Sequence, residues 1–209
     1  MIEIFGYTNE DFNADYIHWE CAPPTAKREL VEVPLRDGYV DVTQYIDNSL
    51  VAYSPRTLTI GLEIRGLRGE WPATYSKLMQ KLHGRSGVIR RDEDPEWEWE
   101  GWAAVGALED HGGSAGVTIT VTAQPYKERC ISKQIYSGTP KNGKTFTVNV
   151  ESGRGVVWFS SNDPVVVEYA GQFYTYNNSW TYLNLYTNES ELTVTCNQKV
   201  EVYLREMSL

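Results

Sequence analysis

Apolar residues recur at every second position along most of this chain, which is the period of a β-strand with one buried face. The clearest run covers residues 56–65, where leucine and isoleucine occupy alternate positions from Leu58 to Ile64. Residues 117–123 alternate in the same way, with valine and isoleucine on one face and threonine on the other. Residues 30–43 contain two short alternating runs around an Asp-Gly pair, which predicts a hairpin. The pattern therefore predicts a mainly β protein.

One stretch, residues 71–84, has the period of an α-helix instead. Its apolar residues follow the i, i+4, i+7 and i+11 spacing of a single helical face: Trp71, Tyr75, Leu78 and Leu82. Pro72 suits the first helical turn, and Gly84 suits the position just beyond the last turn. We therefore expect an amphipathic helix that buries its apolar face against a sheet and leaves Lys77, Gln80 and Lys81 on the opposite face.

A change of composition near residue 132 predicts two domains, residues 1–132 and 133–209. Turn-forming residues accumulate there, and charged residues become sparse. Seven short strands are predicted beyond this boundary: residues 146–150, 156–159, 165–169, 173–176, 181–186, 192–196 and 200–205. Short strands at regular spacing are typical of a small β-sandwich.

Charge and cysteine content narrow the classes of function. Residues 1–130 hold 13 lysines and arginines against 21 acidic residues, and residues 131–209 hold 6 against 7. No basic patch stands out, so we expect no specific nucleic-acid binding. Three dispersed cysteines indicate free thiols in a reducing compartment. We expect no signal peptide and no membrane association, because no apolar run approaches the roughly 18 residues of a membrane span.

Three motifs resemble catalytic or metal-binding patterns but lack the required context. Residues 112–116 match G-x-S-x-G, yet a strand follows the serine where a nucleophile elbow needs a helix. The acidic run at residues 92–100 alternates Glu96, Glu98 and Glu100 with tryptophan, which indicates an outward, solvated or interface face. The three histidines have no partner at metal or catalytic spacing. We therefore predict no catalytic residue, no metal site, no cofactor and no enzymatic activity.

Aromatic residues cluster between positions 169 and 186 of the second domain. Alternation places Trp180, Tyr182 and Tyr186 on one strand face, and Leu183 and Leu185 on the other. One of these faces belongs to the core. The other is a candidate platform for a protein partner or for a sugar ring, and the sequence leaves core, interface and carbohydrate interpretations open.

Residues 32–43 read Glu-Val-Pro-Leu-Arg-Asp-Gly-Tyr-Val-Asp-Val-Thr. This segment resembles a motif of the distal tail protein (Dit) family of siphophages, through the following positions: Val33, Pro34, Arg36, Asp37, Gly38 and Asp41. Leu35 departs from the family, which usually has glycine there. Downstream segments follow in the family's order, namely residues 53–56, the strand 58–64, the helix, residues 97–101, residues 117–123 and residues 125–127. The C-terminal strands are similar to the family's second domain.

The resemblance implies a fold and a structural role. The fold would be a β-sandwich with one α-helix that forms a tail-tube-like ring domain (residues 1–132), followed by a galectin-like β-sandwich (residues 133–209). Six copies would form a ring at the distal end of the phage tail, made in the host bacterial cytoplasm and carried in the virion. The ring would join the tail tube protein to tail-tip or tail-associated baseplate proteins, with receptor-binding proteins as candidate partners, and would let DNA pass at ejection.

Two alternatives remain at the level of sequence. A tail-tube subunit of related fold would account for the first domain, although such subunits usually lack a galectin-like second domain. A carbohydrate-binding module for host adhesion would account for the aromatic cluster.

We also expect that the acidic excess of residues 1–130 lines part of the ring's channel, so that DNA slides without sticking.

Overall fold

The computed structural model describes residues 1–28, 30–32, 37, 39–41, 52–177 and 181–209. The chain divides into two compact units, Met1–Lys127 together with Leu209, and Glu128–Ser208. The sequence placed this division at about residue 132. Both units are built from antiparallel strands, and the mainly β fold predicted from the alternating pattern is confirmed.

Seven strands of the N-terminal unit form one antiparallel sheet in the order β3–β6–β9–β8–β7–β1–β2. These strands are β1 (Ile2–Ile4), β2 (Tyr7–Thr8), β3 (Ala14–Cys21), β6 (Arg56–Ile64), β7 (Ser86–Arg91), β8 (Trp97–Asp110) and β9 (Ala115–Ala123). Strands β4 (Leu30–Glu32) and β5 (Tyr39–Asp41) pair with each other as the predicted hairpin, with Leu30 opposite Asp41.

The inner face of this sheet carries the apolar residues that the alternation predicted. In β6, Leu58, Ile60, Leu62 and Ile64 are all buried, and β9 contributes Val117, Ile119 and Val121 to the same core. Burying this face supplies the main favourable free energy of folding for the unit. The intervening residues of β6 and β9 point outward, which makes the outer face polar.

Helix α1 (Trp71–Leu82) covers the core, as its spacing predicted. Trp71, Leu78 and Leu82 are buried in the same cluster as β6 and β9. The indole Nε1 of Trp71 donates to the Gly66 carbonyl at 3.2 Å, and the Tyr75 hydroxyl donates to the Gly106 carbonyl of β8 at 3.0 Å. The Tyr75 hydrogen bond therefore fixes the helix against β8, and the Trp71 hydrogen bond ties its first turn to the loop after β6. The apolar face of the helix shares the core of the whole sheet.

Gly84 lies just beyond the end of α1 and has a left-handed backbone conformation, which glycine adopts more readily than other residues. Its φ is +70°, in the left-handed region, and its N–H donates to the Ala103 carbonyl of β8 at 2.8 Å. The predicted role of Gly84 just beyond the helix is confirmed. The turn directs the chain into β7, which pairs with β8.

The lysine face of α1 contacts the N-terminal segment. Lys77 Nζ donates to the Asp11 carbonyl and lies 5.7 Å from the centre of the Phe12 ring. Lys81 Nζ lies 5.3 Å from the centre of the Tyr7 ring. Each ammonium interacts with the negative face of an aromatic ring. The lysines therefore help to hold residues 7–12 against the helix, a role that the helical spacing alone did not indicate.

The C-terminal unit is a β-sandwich of two four-stranded antiparallel sheets, β16–β13–β18–β11 and β12–β17–β14–β15. Strand β10 (Lys127–Arg129) lies where the two units meet in sequence. The eight strands of the sandwich are β11 (Lys133–Gly138), β12 (Lys144–Asn149), β13 (Gly155–Ser161), β14 (Val165–Tyr169), β15 (Gln172–Tyr176), β16 (Thr181–Leu185), β17 (Glu189–Thr195) and β18 (Val200–Ser208). All seven predicted strands are present, and β11 was not predicted. The core of the sandwich is dominated by alternating valines and leucines.

Arg65, directly after β6, forms ion pairs with two acidic side chains that are far from it in sequence, Glu10 and Asp15. Its guanidinium donates to both carboxylate oxygens of Glu10, at 2.8 and 3.1 Å, and to Asp15 Oδ1 of β3, at 2.9 Å from Nε. The hydrogen bonds from Arg65 lower the pKa of Asp15 below its ordinary value. This ion pair network fixes the start of β3 to the end of β6.

We expect Leu78→Ala to lower the free energy of unfolding by about 2–5 kcal/mol, because it leaves a cavity beneath α1. Five of the seven tryptophans lie in residues 1–127, so urea denaturation followed by tryptophan fluorescence reports mainly on this unit. Gln80→Ala, on the exposed side of the same helix, should change the free energy of unfolding by no more than about 0.5 kcal/mol. Equal effects of the two substitutions would contradict the assigned packing of the helix.

We expect Arg65→Gln to raise the pKa of Asp15 toward its ordinary value, measured by carboxyl-carbon NMR titration. The folded-state pKa of Asp15 is lowered, so its carboxylate stabilises the fold above the unfolded-state pKa. That contribution is lost as the pH falls through the folded-state pKa. Arg68→Gln removes an arginine that pairs with Asp110 instead, and it should leave the Asp15 titration unchanged. A shift in both variants would refute the specific pairing.

Candidate functional site

Most residues of the predicted family motif lie outside the described part of the chain: Val33, Pro34, Arg36 and Gly38. Asp37 is exposed in a bend, and Asp41 ends β5 opposite Leu30. The role of these residues stays a prediction.

The predicted aromatic face is partly described. Tyr182 on β16 is 63% exposed, and Tyr186 is exposed with the Arg154 guanidinium 5.5 Å from its ring centre. Leu183 and Leu185 are buried on the opposite face, and Trp180 lies outside the described residues. Tyr182 is therefore not a core residue, so the interface and carbohydrate interpretations remain for it. By contrast, Tyr169, Tyr174 and Tyr176 pack against the core of the sandwich.

The serine of the G-x-S-x-G match lies in a loop that joins two strands. Strand β8 ends at Asp110 and β9 begins at Ala115, so Ser114 has no helix after it. A backbone hydrogen bond closes the loop, because the His111 N–H donates to the Ser114 carbonyl at 3.0 Å. A β-hairpin loop of this kind lacks the geometry of a nucleophile elbow.

Glu98 lies on the outward face that was predicted to be solvated or an interface, but its side chain is buried. It lies on the outer face of β8 but is only 8% exposed, because Arg90 of β7 covers it. Arg90 Nε and Nη2 both donate to Glu98 Oε2, at 3.0 and 2.7 Å. Arg90 also donates to Glu3 of β1 at 3.4 Å. The pairing across three strands assigns Glu98 a structural role.

The histidines occupy separate positions in the N-terminal unit. His83 Nδ1 accepts a hydrogen bond from the Val105 N–H at 3.1 Å, which ties the end of α1 to β8. His18 and His111 are exposed and lie beside Glu20 and Glu109, at 4.0 and 3.5 Å. Among the described residues, no group of three or more histidine, cysteine or acidic side chains could hold a metal ion. No described helix is both long and apolar enough to cross a membrane.

The outer face of the N-terminal sheet is rich in threonine. Thr57 and Thr59 of β6 lie opposite Thr122 and Thr120 of β9, and Trp102 of β8 lies opposite Thr122. These side chains are mostly exposed, Trp102 included. The charged outward residues on these three strands and the adjoining β3 are acidic apart from His18: Asp15, Glu20, Glu63, Glu98, Glu100 and Glu109. We call this surface the threonine face.

A cleft of about 200 Å³ opens in the N-terminal unit, where the ends of four strands and one turn meet. Its lining consists of three tryptophans, two cations and one carboxylate: Trp19, Trp97, Trp99, Arg91, Lys127 and Asp94. We call it the tryptophan cleft. Trp97 and Trp99 share the inner face of β8 because they are two residues apart, while Trp19 comes from β3.

Each cation of the tryptophan cleft lies over an indole and beside a carboxylate. Arg91 Cζ is 4.5 Å from the Trp19 ring centre, and Arg91 Nε is 3.2 Å from Glu93 Oε2. Lys127 Nζ is 4.9 Å from the Trp97 ring centre and 2.6 Å from Asp94 Oδ2. The cation–π contacts and ion pairs fix the side chains in place.

Sequence reasoning missed the tryptophan cleft. The alternation of residues 96–100 placed the tryptophans opposite the glutamates, but nothing in the spacing linked them to residues 19, 91 and 127. The folded unit brings these residues together from β3, β7, β8, β10 and the turn after β7, although β3 pairs with β6 rather than with any of those strands. The high density of tryptophan in residues 97–102 was the one available signal.

Comparison with known proteins gives a match in structure alone. No protein-family model and no curated protein matches the sequence. The crystal structure of phage SPP1 Dit (gp 19.1), a paradigm of the hub adsorption apparatus in phages that infect Gram-positive bacteria, is similar with a TM-score of 0.68 and 13% sequence identity. The similarity covers 100% of this chain and 98% of that chain. The phage p2 baseplate, in its activated conformation with Sr, gives a TM-score of 0.44 and 9% identity over 96% of this chain and 92% of that chain. The predicted resemblance to the Dit family is therefore confirmed at the level of the fold.

Proposed function

We propose that this chain is a structural protein of a phage tail tip, a distal tail protein that assembles into a six-membered ring. The observation that carries the proposal is the similarity in fold to SPP1 Dit, which extends over nearly the whole of both chains. Such a match includes the C-terminal sandwich as well as the helix-covered sheet. It therefore favours a distal tail protein over a tail-tube subunit, which usually lacks the second domain.

In this proposal the N-terminal unit forms the ring, and the ring connects the tail tube protein to the tail-tip or tail-associated protein. The C-terminal sandwich then offers its exposed aromatic residues, Tyr182 among them, to a receptor-binding protein. The protein would be made in the host cytoplasm and carried at the distal end of the virion tail. No step of this role requires catalysis or a cofactor.

Strand β3 is the surface that suits contact between neighbouring copies. In the described part of the chain it pairs with β6 alone, so its other edge presents unpaired backbone groups. Ile17 is the extra residue of a bulge in this strand and is 58% exposed. An exposed edge with a projecting isoleucine can bind a different surface of the next copy, and such head-to-tail contacts close into rings.

The threonine face suits the wall of the channel. Its centre is uncharged, and the carboxylates of Glu20, Glu63 and Glu100 lie around it. Hydroxyl groups and carboxylates offer no cation for the DNA phosphates, so the duplex would slide without being held. The acidic excess predicted for residues 1–130 then has a specific location in the proposed ring.

We expect negative-stain electron microscopy of the full-length protein to show six-fold rings, with a mass of about six chains by light scattering. Ile17→Asp should reduce the assembly to smaller species, because it places a charge in the proposed contact. Leu67→Asp is the matched control, since Leu67 is 76% exposed in a loop, and it should leave the rings intact. Rings in the Ile17 variant would contradict the assigned edge, and a monomeric wild type at micromolar concentration would contradict the ring.

The channel assignment can be tested with added lysines. We expect wild-type rings to leave duplex DNA unshifted in a gel at 50 mM salt, since the described residues of the threonine face include no lysine or arginine. Thr59→Lys with Thr120→Lys should bind duplex DNA and lose most of that binding at about 200 mM salt. Thr145→Lys with Thr147→Lys adds the same charge to exposed positions of the C-terminal sandwich. Equal DNA binding by both double variants would place the threonine face outside the channel.

A further inference from the structure

The tryptophan cleft has the chemical character of a binding site. Its walls include the indoles of Trp19, Trp97 and Trp99. A cation lies over one face of each indole, from Arg91, Lys127 and Arg56 respectively. Asp94 and Lys127 add hydrogen-bonding groups to the lining. Their side chains are partly exposed, so a ligand can reach them from solvent. A ligand that fits must therefore combine an apolar face with polar groups around its edge.

The charges of the cleft are already balanced. Lys127 is paired with Asp94 at 2.6 Å, and Arg91 with Glu93 at 3.2 Å. A ligand anion would have to compete with these carboxylates for the same cations. A ligand cation would lie close to the positive charges of Arg91 and Lys127, and both would repel it. The balance favours an uncharged ligand.

The size of the cleft limits the ligand to one small ring. Its volume of about 200 Å³ lies below the roughly 300–1,000 Å³ of pockets that enclose drug-sized molecules. A pyranose matches these requirements, because its C–H groups form an apolar face and its hydroxyls surround the ring. The carboxylate of Asp94 can accept from a sugar hydroxyl, and Lys127 can donate to one.

We propose that the tryptophan cleft binds a single neutral hexose unit, free or as part of a glycan chain. One indole stacks on the C–H face of the sugar, and Asp94 and Lys127 bind its hydroxyls. The site is in the N-terminal unit, away in sequence from the aromatic face of residues 180–186. The proposal does not depend on the subunit ring, because each chain contains the whole cleft.

The test uses saturation-transfer NMR on the full-length protein with D-glucose, D-galactose and N-acetyl-D-glucosamine as separate probes. Glycerol 3-phosphate serves as the anionic comparison and choline as the cationic one. We expect transfer to at least one hexose and none to choline or glycerol 3-phosphate. Titration of the hexose that responds should give a dissociation constant near or above the millimolar range.

Two substitutions on the same strand locate the site. Trp97→Ala should weaken hexose binding by about tenfold or more, since it removes a stacking surface. Trp102→Ala removes an exposed tryptophan from the opposite face of β8 and should leave binding unchanged. Asp94→Asn keeps the size of the side chain and removes its charge, and it should also weaken binding. It serves as the second test if the Trp97 variant fails to fold.

The proposal fails on any of three results. These are no transfer to any of the three hexoses, transfer to choline or glycerol 3-phosphate alone, and equal hexose binding by the wild type, the Trp97 variant and the Asp94 variant. Loss of binding in the Trp102 variant alone would also contradict the proposal, because it would indicate that the sugar binds to the outer face of the sheet. Weakened binding in the Trp97 and Asp94 variants, with the Trp102 variant unchanged, supports the cleft.

Discussion

The N-terminal unit depends on burying one face of a sheet beneath a single helix. A sheet that is apolar on one side is unstable in water until that side is covered, and α1 supplies part of the cover with Trp71, Leu78 and Leu82. The Tyr75 hydroxyl then fixes the helix on the sheet by donating to the Gly106 carbonyl, and the Trp71 indole ties it to the preceding loop by donating to the Gly66 carbonyl. The apolar residues of the sheet are therefore concentrated on the covered face, and the other face carries polar residues.

The same division between the two faces appears in the residue types of the individual strands. Inward residues of β6 and β9 are aliphatic, and their outward neighbours are mainly threonine. Threonine favours strands through its branched side chain, yet it adds no charge. The C-terminal sandwich follows the same rule, with Leu183 and Leu185 inside and Tyr182 outside.

The sequence predicted the elements that obey a strict local period. The helix followed from the spacing of Trp71 to Leu82, the strand β6 from its alternating leucines and isoleucines, and the sandwich from seven short strands. Strand β11 was missed because turn-forming residues overlap its end. The burial of Glu98 could not be predicted, because it depends on how the Arg90 side chain lies over it across the β7–β8 pair. The tryptophan cleft could not be predicted either, because its residues come from elements that are distant in sequence. The motif residues Val33, Pro34, Arg36 and Gly38 carried the family resemblance but belong to a segment outside the described residues.

The bulge at Ile17 also bears on solubility. A regular edge strand can recruit further strands without limit, which is the route to fibrous aggregates. The bulge interrupts the register of β3 between Tyr16 and His18, and it increases the local twist. The uninterrupted backbone available to an incoming strand is therefore short on either side of the bulge. Such an edge disfavours open-ended stacking of β-strands, which protects the folded protein from aggregation.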